Sequence, residues 1–124
     1  MNIIQILAIL FGLTWPGYAV FKYQEHMSRD EAKSYCQSKN TELYIPKEED
    51  FDKAGDKCSY SACWVGIIKK NEKFYLEDGL THATYLDWHS WEPDNLDGEE
   101  DCVYLIERKL VDVSCKVFAV PLCE

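Results

Sequence analysis

The chain has 124 residues, of which 47% are apolar, so we expect one domain with a packed core and exclude wholesale disorder. The 13 basic and 22 acidic residues give a net charge of −9, which argues against nucleic acid or an anionic membrane as the partner. Six cysteines and four tryptophans in a chain of this length are typical of a disulfide-stabilised extracellular domain.

The first residues form an apolar segment. Residues 3–13 read IIQILAILFGL, a run too short to span a membrane as a helix. Small residues at Gly17 and Ala19 match a signal-peptidase site, which predicts cleavage after Ala19. A buried first strand or helix is the alternative. The signal peptide is favoured because the first charged residue is Lys22, so we expect a signal peptide at 1–19 and a secreted domain without a membrane anchor at 20–124.

The remaining sequence predicts an α+β domain. Ser28 and Glu31 have the spacing of a capping box, which predicts a helix start, and Asn40 can end that helix. A second helix is predicted from Lys47 to about Ala54, followed by Gly55. Short strands are predicted at residues 43–45, 64–67, 74–76, 103–106, 110–113 and 118–122. The long segment 78–101 lacks periodicity, which is typical of a functional loop.

The six cysteines predict disulfides better than a metal site. They are Cys36, Cys58, Cys63, Cys102, Cys115 and Cys123, and no two have the C-x-x-C spacing of a zinc site. Local spacing favours a small loop closed by Cys58 and Cys63. A Cys36–Cys123 disulfide would join the first helix to the last strand and would stabilise the fold by roughly 4 kcal/mol in the chain-entropy model. Six cysteines allow 15 pairings, and the sequence alone does not choose among them.

A series of short motifs gives the chain a family resemblance. They are MSRDEAKSYC, CWVGI, LEDG, YLDW, WEPD, EEDC, LVDVSC and PLCE, in that order. In order and spacing they resemble the short form of the C-type lectin-like domain. The resemblance implies a fold of two helices and short antiparallel sheets with a long functional loop. It also implies the disulfides Cys36–Cys123 and Cys102–Cys115, with Cys58–Cys63 as an additional local bridge.

Acidic residues are concentrated near the end of the long loop. They are Glu92, Asp94, Asp97, Glu99, Glu100, Asp101 and, further along, Asp112. This density of carboxylate oxygens suits calcium, although a solvated acidic loop without an ion is the alternative. A cis Glu92–Pro93 bond would turn the flanking side chains to one side. The resemblance implies that this bond is cis, and that Glu92, Asp94, Glu100 and Asp112 are ligands of one calcium ion, three of which (Glu92, Asp94, Glu100) also contact a sugar.

Two positions depart from the family pattern. Val111 stands where the family has an Asn that serves as ion ligand and amide donor, and Asp94 stands where mannose-type members have Asn. A calcium site can survive because the carboxylate count rises from three to four. Sugar binding loses amide donors, at about 1–3 kcal/mol for each missing buried hydrogen bond. Val111 lies on a strand, which is either distorted, so that Val111 lies near the ion, or regular, so that Val111 is packed into the core.

Other notable side chains have less specific roles. Trp91 either stacks on a ligand or packs within the loop. Trp64 and Trp88 are expected in the core, whereas His82 and His89 are expected to be surface groups. We expect no enzyme activity, because there is no nucleophile motif and the clustered acids suit a metal better than glycoside hydrolysis.

Two classes of function therefore remain. One is a secreted calcium-dependent lectin that binds a glycan or glycoprotein through Glu92, Asp94, Glu100 and Trp91. The other is a calcium-independent protein of the same fold that recognises protein or another surface. The four carboxylates favour the first class and Val111 favours the second. The sequence predicts the first.

Overall fold

The computed structural model describes residues 20–124, and the predicted signal peptide lies outside the described residues. The elements are β1 (Phe21–Lys22), α1 (Arg29–Ser38), α2 (Phe51–Cys58), β2 (Cys63–Lys70), β3 (Lys73–Tyr75), a 3-10 helix (Leu96–Gly98), β4 (Cys102–Ile106), β5 (Lys109–Val113) and β6 (Val120–Cys123). The fold is α+β, as predicted. No helix within residues 20–124 has the length and apolar content needed to cross a membrane.

One mixed sheet organises the domain. Its strand order is β1-β6-β2-β4-β5, and β3 pairs with β2 outside this path. Strands β2 and β6 are parallel, while the other pairs are antiparallel. Apolar side chains of the central strand β2 enter both core clusters, with Val65 and Ile67 in one and Trp64 in the other. The half-buried Trp88 packs against the first cluster, so both predicted core tryptophans contribute to packing.

Helix α1 begins where the capping box predicts. The Ser28 side chain accepts a hydrogen bond from the backbone N–H of Glu31, and the Glu31 side chain accepts one from the N–H of Ser28. This pair satisfies two amides that a helix start otherwise leaves without partners. The helix ends at Ser38, and Asn40 follows in a left-handed conformation with φ of 58°.

The predicted bounds of the second helix are wrong. Helix α2 begins at Phe51 rather than Lys47 and continues to Cys58. The hydroxyl of Tyr44 donates to Asp50 at 2.6 Å and accepts from the N–H of Lys47 at 3.3 Å, which holds the residues before Phe51 in a turn. Gly55 is a buried residue within the helix rather than its end.

The predicted strand at 43–45 is also wrong, whereas the other strands lie within a few residues of the prediction. Leu43 forms an isolated bridge with Cys123, and the Tyr44 carbonyl accepts from the N–H of Gly66 at 2.8 Å. These bonds hold the segment across β6 and β2 without a continuous ladder.

Three disulfides close the domain with the expected pairing: Cys36–Cys123, Cys58–Cys63 and Cys102–Cys115. The first joins α1 to β6. The third joins the start of β4 to the segment after β5, next to the acidic loop.

Candidate cation-binding site in the long loop

The long loop returns to the sheet alongside β5. Trp88 forms a parallel bridge with Leu110, whose N–H donates to the Asp87 carbonyl and whose carbonyl accepts from His89, both at 2.8 Å. This pairing directs the following residues of the loop toward Asp112, two positions further along β5. A loop segment and a strand distant in sequence are thereby brought together.

Three predicted ligands meet there. Glu92, Asp94 and Asp112 each offer a carboxylate oxygen, and these oxygens lie within 4.8 Å of one another. The Glu92–Pro93 peptide bond is cis. Asp112 is fully buried, and its two oxygens accept hydrogen bonds from the N–H groups of Asp94 at 3.0 Å and Asn95 at 2.8 Å.

Glu100, the fourth predicted ligand, lies beside this group and is hydrogen bonded to the Asp94 side chain. Its carboxylate accepts from the N–H of Leu96 at 2.6 Å, across the short 3-10 helix. Burial, together with hydrogen bonding to the Asp94 carboxylate, raises the pKa of Glu100 to about 7. The other acids between residues 92 and 101 whose side chains are described, Glu99 and Asp101, are exposed.

The electrostatics of this cluster favour a cation. Burial, followed by a hydrogen bond with Asp112 and repulsion from the Asp94 and Asp112 carboxylates, raises the pKa of Glu92 to about 7. The Oε2 atom of Glu92 is buried and has no hydrogen-bond partner within the described residues. Such an acceptor is costly unless a positive charge meets it. Several carboxylate oxygens at one point therefore fit a hard divalent cation.

Val111 does not reach this cluster. Strands β4 and β5 pair regularly, with Val103 opposite Asp112 and Tyr104 opposite Val111. By alternation Val111 faces away from Asp112, and it packs against the core cluster that contains Trp64. Of the two arrangements considered for this strand, the regular one is found.

Trp91 is not packed within the loop. Its side chain is 95% exposed, directly beside Glu92 in the chain, and its backbone has φ of 67°. A bulky residue with positive φ is uncommon and indicates local constraint. Leu96, on the other side of the acidic cluster in sequence, is 62% exposed.

Sequence reasoning missed Asn95. Its backbone N–H donates to Asp112, and its side-chain oxygen accepts from the N–H of Glu100 at 3.2 Å, so it links two members of the cluster. Asn95 is in the left-handed conformation with φ of 47°. The sequence signal that could have identified this residue is an Asn directly after the acidic motif, because Asn tolerates the left-handed conformation better than most residues.

Comparison with known proteins decides the family. The model of the C-type lectin domain matches residues 25–124. This chain belongs to the C-type lectin domain family. Members of this family are generally non-enzymatic carbohydrate-binding proteins, generally bind calcium and are often extracellular.

Similar sequences include human E-selectin, which is 34% identical over 95 residues that cover 72% of this chain and 15% of the selectin. Zebrafish collectin-11 is 26% identical over 101 residues, covering 76% of this chain and 37% of the collectin. This C-type lectin domain therefore spans well under half the length of these relatives.

Similar solved structures share the fold. The carbohydrate-recognition domain of the mouse scavenger receptor C-type lectin matches with a TM-score of 0.76 and 21% identity, covering 88% of this chain and 94% of that one. The domain of cow CD23, solved in the presence of a GlcNAc2Man3 oligosaccharide, matches with a TM-score of 0.76 and 19% identity, covering 89% and 94%.

Proposed function

We propose that this domain is a calcium-dependent carbohydrate-binding module. One observation carries the proposal: Glu92, Asp94 and Asp112 converge, and the buried Oε2 of Glu92 has no hydrogen-bond partner within the described residues. Glu100 lies next to this group, hydrogen bonded to the Asp94 side chain. A single calcium ion held by these four residues would neutralise the cluster and satisfy that oxygen.

Each group near the site has a defined task in this proposal. Bound calcium supplies a positive centre that attracts hydroxyl oxygens of a sugar. The carboxylates of Glu92, Asp94 and Glu100 accept hydrogen bonds from those hydroxyls, and the exposed indole of Trp91 stacks on the apolar face of the ring. Since Asp94 and Val111 offer no side-chain amide, sugar recognition depends on acceptors.

We also propose that the domain is secreted, with residues 1–19 as signal peptide and 20–124 as the mature domain. The three disulfides support this proposal, because such bonds persist in oxidising compartments and are rare in the cytosol. Mass spectrometry of protein from the culture medium of a eukaryotic host tests it. A mature N-terminus at Val20 is expected, and retention inside the cell with residues 1–19 intact would contradict it.

Calcium titration calorimetry with the purified protein is the direct test of the ion site. We expect one ion per chain and a rise in melting temperature with calcium, because a ligand that binds only the folded state stabilises it. Asp94→Ala should weaken calcium binding at least about tenfold, as expected for the loss of a charged ligand. Glu99→Ala is the matched control: this exposed acid of the same loop should leave calcium affinity unchanged.

A glycan array probed with calcium and with chelator tests the second part. We expect binding that chelator abolishes. Trp91→Ala should keep its calcium affinity and lose glycan affinity by about five- to tenfold, since stacking of one aromatic ring contributes about 1–1.5 kcal/mol. Glycan binding that is unchanged in this variant would remove Trp91 from the site.

The second candidate function is calcium-independent recognition of a protein or another surface. Val111 favours it, because the residue faces the core and supplies neither a ligand nor a donor. A melting temperature that millimolar calcium leaves unchanged, together with no chelator-sensitive glycan binding, would select this alternative.

A further inference from the structure

A cavity separate from the acidic cluster lies at the start of helix α1. Its volume is about 280 Å³, and it lies, open to solvent on one side, between the helix N-terminus, the end of β2 and the Cys102–Cys115 disulfide. The polar residues that line it are Ser28, Arg29, Asp30, Lys69 and Asp101. None of the four residues of the proposed calcium site lines it, so its ligand can be considered separately.

Lys69 brings a poorly compensated positive charge to this cavity. Its side chain is only 6% exposed, and its ammonium makes no hydrogen bond within the described part of the chain. Its one salt bridge there is a 3.8 Å contact with Glu72, whose side chain is 83% exposed. The largely buried side chain therefore holds its ammonium at the cavity without a close counter-charge, so an anion at this point would be favoured.

Arg29 adds a second buried cation with an unused donor. The residue is 5% exposed, and its Nη2 contacts Glu77 and donates to the carbonyls of Val65 and Ile67, both at 3.3 Å. Its Nε is buried and has no hydrogen-bond partner among residues 20–124. An orphaned guanidinium nitrogen is unusual, because buried donors are almost always satisfied.

The helix terminus supplies further donors. Ser28 accepts from the N–H groups of Glu31 and Ala32, which leaves the first amides of α1, those of Arg29 and Asp30, without a partner in the helix. The positive end of the helix dipole lies at the same place, and helix N-termini commonly bind phosphate or sulfate.

Two carboxylates at the cavity oppose an anion, but they are differently placed. Asp30 and Asp101 are exposed and can turn toward solvent, whereas Arg29 is buried and the side chain of Lys69 is only 6% exposed. The volume accommodates a small tetrahedral anion.

We propose that this cavity binds a single tetrahedral oxyanion through Lys69, Arg29 and the first amides of α1. The group is either a sulfate ester carried by a glycan or free inorganic sulfate or phosphate, since all present the same acceptor oxygens. This site does not depend on the proposed calcium site.

The test is done in chelator, so that the calcium site does not contribute. Calorimetry with sodium sulfate, at fixed ionic strength against chloride, should show saturable binding of one anion per chain. Lys69→Met should weaken sulfate binding at least about tenfold, as expected for the loss of a hydrogen bond from a charged donor. Asp101→Asn should strengthen it, because a like charge is removed. Lys70→Met, at the exposed neighbouring position on β2, is the matched control and should change nothing.

Melting in chloride gives a second readout. Lys69→Met should abolish the saturable stabilisation by sulfate, because a ligand that no longer binds the folded state cannot stabilise it. Sulfate also stabilises proteins non-specifically by exclusion from their surface. An equal, non-saturating rise in the wild type and in all three variants would therefore overturn the proposal, as would absence of binding in calorimetry.

A sulfated sugar used as ligand distinguishes the two sources of the anion. If galactose 6-sulfate binds more tightly than inorganic sulfate and galactose does not bind, the ligand is a sulfate ester carried by a glycan. Equal affinities support a free anion. Binding that Lys69→Met and Asp101→Asn both leave unchanged would refute the site in either form.

Discussion

Neighbouring residues 111 and 112 show how one step along a strand separates two roles. Asp112 is fully buried and gathers backbone N–H groups of the long loop, while Val111 packs on the opposite face of β5. Replacing Val111 with the family's Asn would not restore a ligand to the ion site, because the regular pairing of β4 and β5 directs the side chain at this position away from the cluster.

Val111→Asn should therefore destabilise the domain without improving the ion site. Placing an amide against the core cluster leaves polar atoms without partners, at about 1–3 kcal/mol. Urea unfolding and calcium calorimetry measure the two effects, and Val111→Ile is the apolar control that should keep near-wild-type stability. Tighter calcium binding by Val111→Asn would show that β5 distorts near its acidic end.

The raised pKa values of Glu92 and Glu100 predict an unusual pH dependence in chelator. Each pKa rises from an ordinary 4.5 to about 7 in the folded domain, mainly through burial. The folded state then holds protons that the unfolded state releases, so their stabilising contribution is full below pH 4.5 and is lost as the pH rises toward 7. Urea unfolding at pH 5 and at pH 7.5 should show this loss.

The matched control is the double variant Glu92→Gln with Glu100→Gln, in which this part of the pH dependence should vanish. Calcium affinity of the wild type should change in the opposite direction, rising with pH through 7, because protons compete with the ion for the same oxygens. The same unfolding difference between the two pH values in wild type and double variant would contradict the assignment.

At the level of elements, the contact between strand β2 and the 43–45 segment depends on a glycine. A Cβ atom at Gly66 would lie 2.8 Å from the backbone carbonyl oxygen of Leu43. The N–H of Gly66 donates to the Tyr44 carbonyl, so the segment cannot withdraw without losing this bond.

Gly66→Ala should consequently destabilise the domain by about 1–3 kcal/mol, the usual effect of overpacking. Gly55→Ala provides the contrast. A Cβ there would meet the Cγ, Cβ and backbone Cα of Arg108 at 2.7, 3.2 and 3.3 Å, so Arg108 must shift. Ala favours the helix over Gly by roughly 0.5–1 kcal/mol, which offsets part of this cost, so the loss of stability should be smaller than for Gly66→Ala. Chemical denaturation of both variants checks the prediction, and equal losses would contradict it.

For the whole molecule, two of the disulfides differ greatly in the length of chain they enclose. Cys36 and Cys123 are 87 residues apart, whereas Cys58 and Cys63 are 5 apart. In the chain-entropy model the longer loop stabilises by roughly 4–5 kcal/mol and the shorter by roughly 2 kcal/mol.

Replacing both cysteines of a pair with Ala should thus lower the melting temperature more for Cys36/Cys123 than for Cys58/Cys63. Calorimetric melting of the two double variants measures the difference. Both pairs are buried, so the loss of packing is similar and serves as an internal control. An equal or larger loss for the short loop would show that strain or packing, rather than chain entropy, decides the effect.

Features that depend on local sequence could be predicted without the structure. The capping box of Ser28 and Glu31 lies within one helical turn, and the strand patterns around β4 and β5 are fixed by side-chain alternation. The order of the motifs indicated the family, and the family resemblance predicted the fold and the pairing of Cys36 with Cys123, which cysteine spacing alone left open.

Other features depended on contacts between distant residues. The start of α2 was decided by Tyr44 and Asp50, the outward side chain of Trp91 by the course of the loop, and the orientation of Val111 by regular pairing with β4. The cavity that joins Lys69 to the start of α1 has no signature in the sequence, because its two sides are nearly forty residues apart. The sequence by itself determined which residues carry the charges; only tertiary packing decided which charges are buried together, since burial and proximity depend on distant parts of the chain.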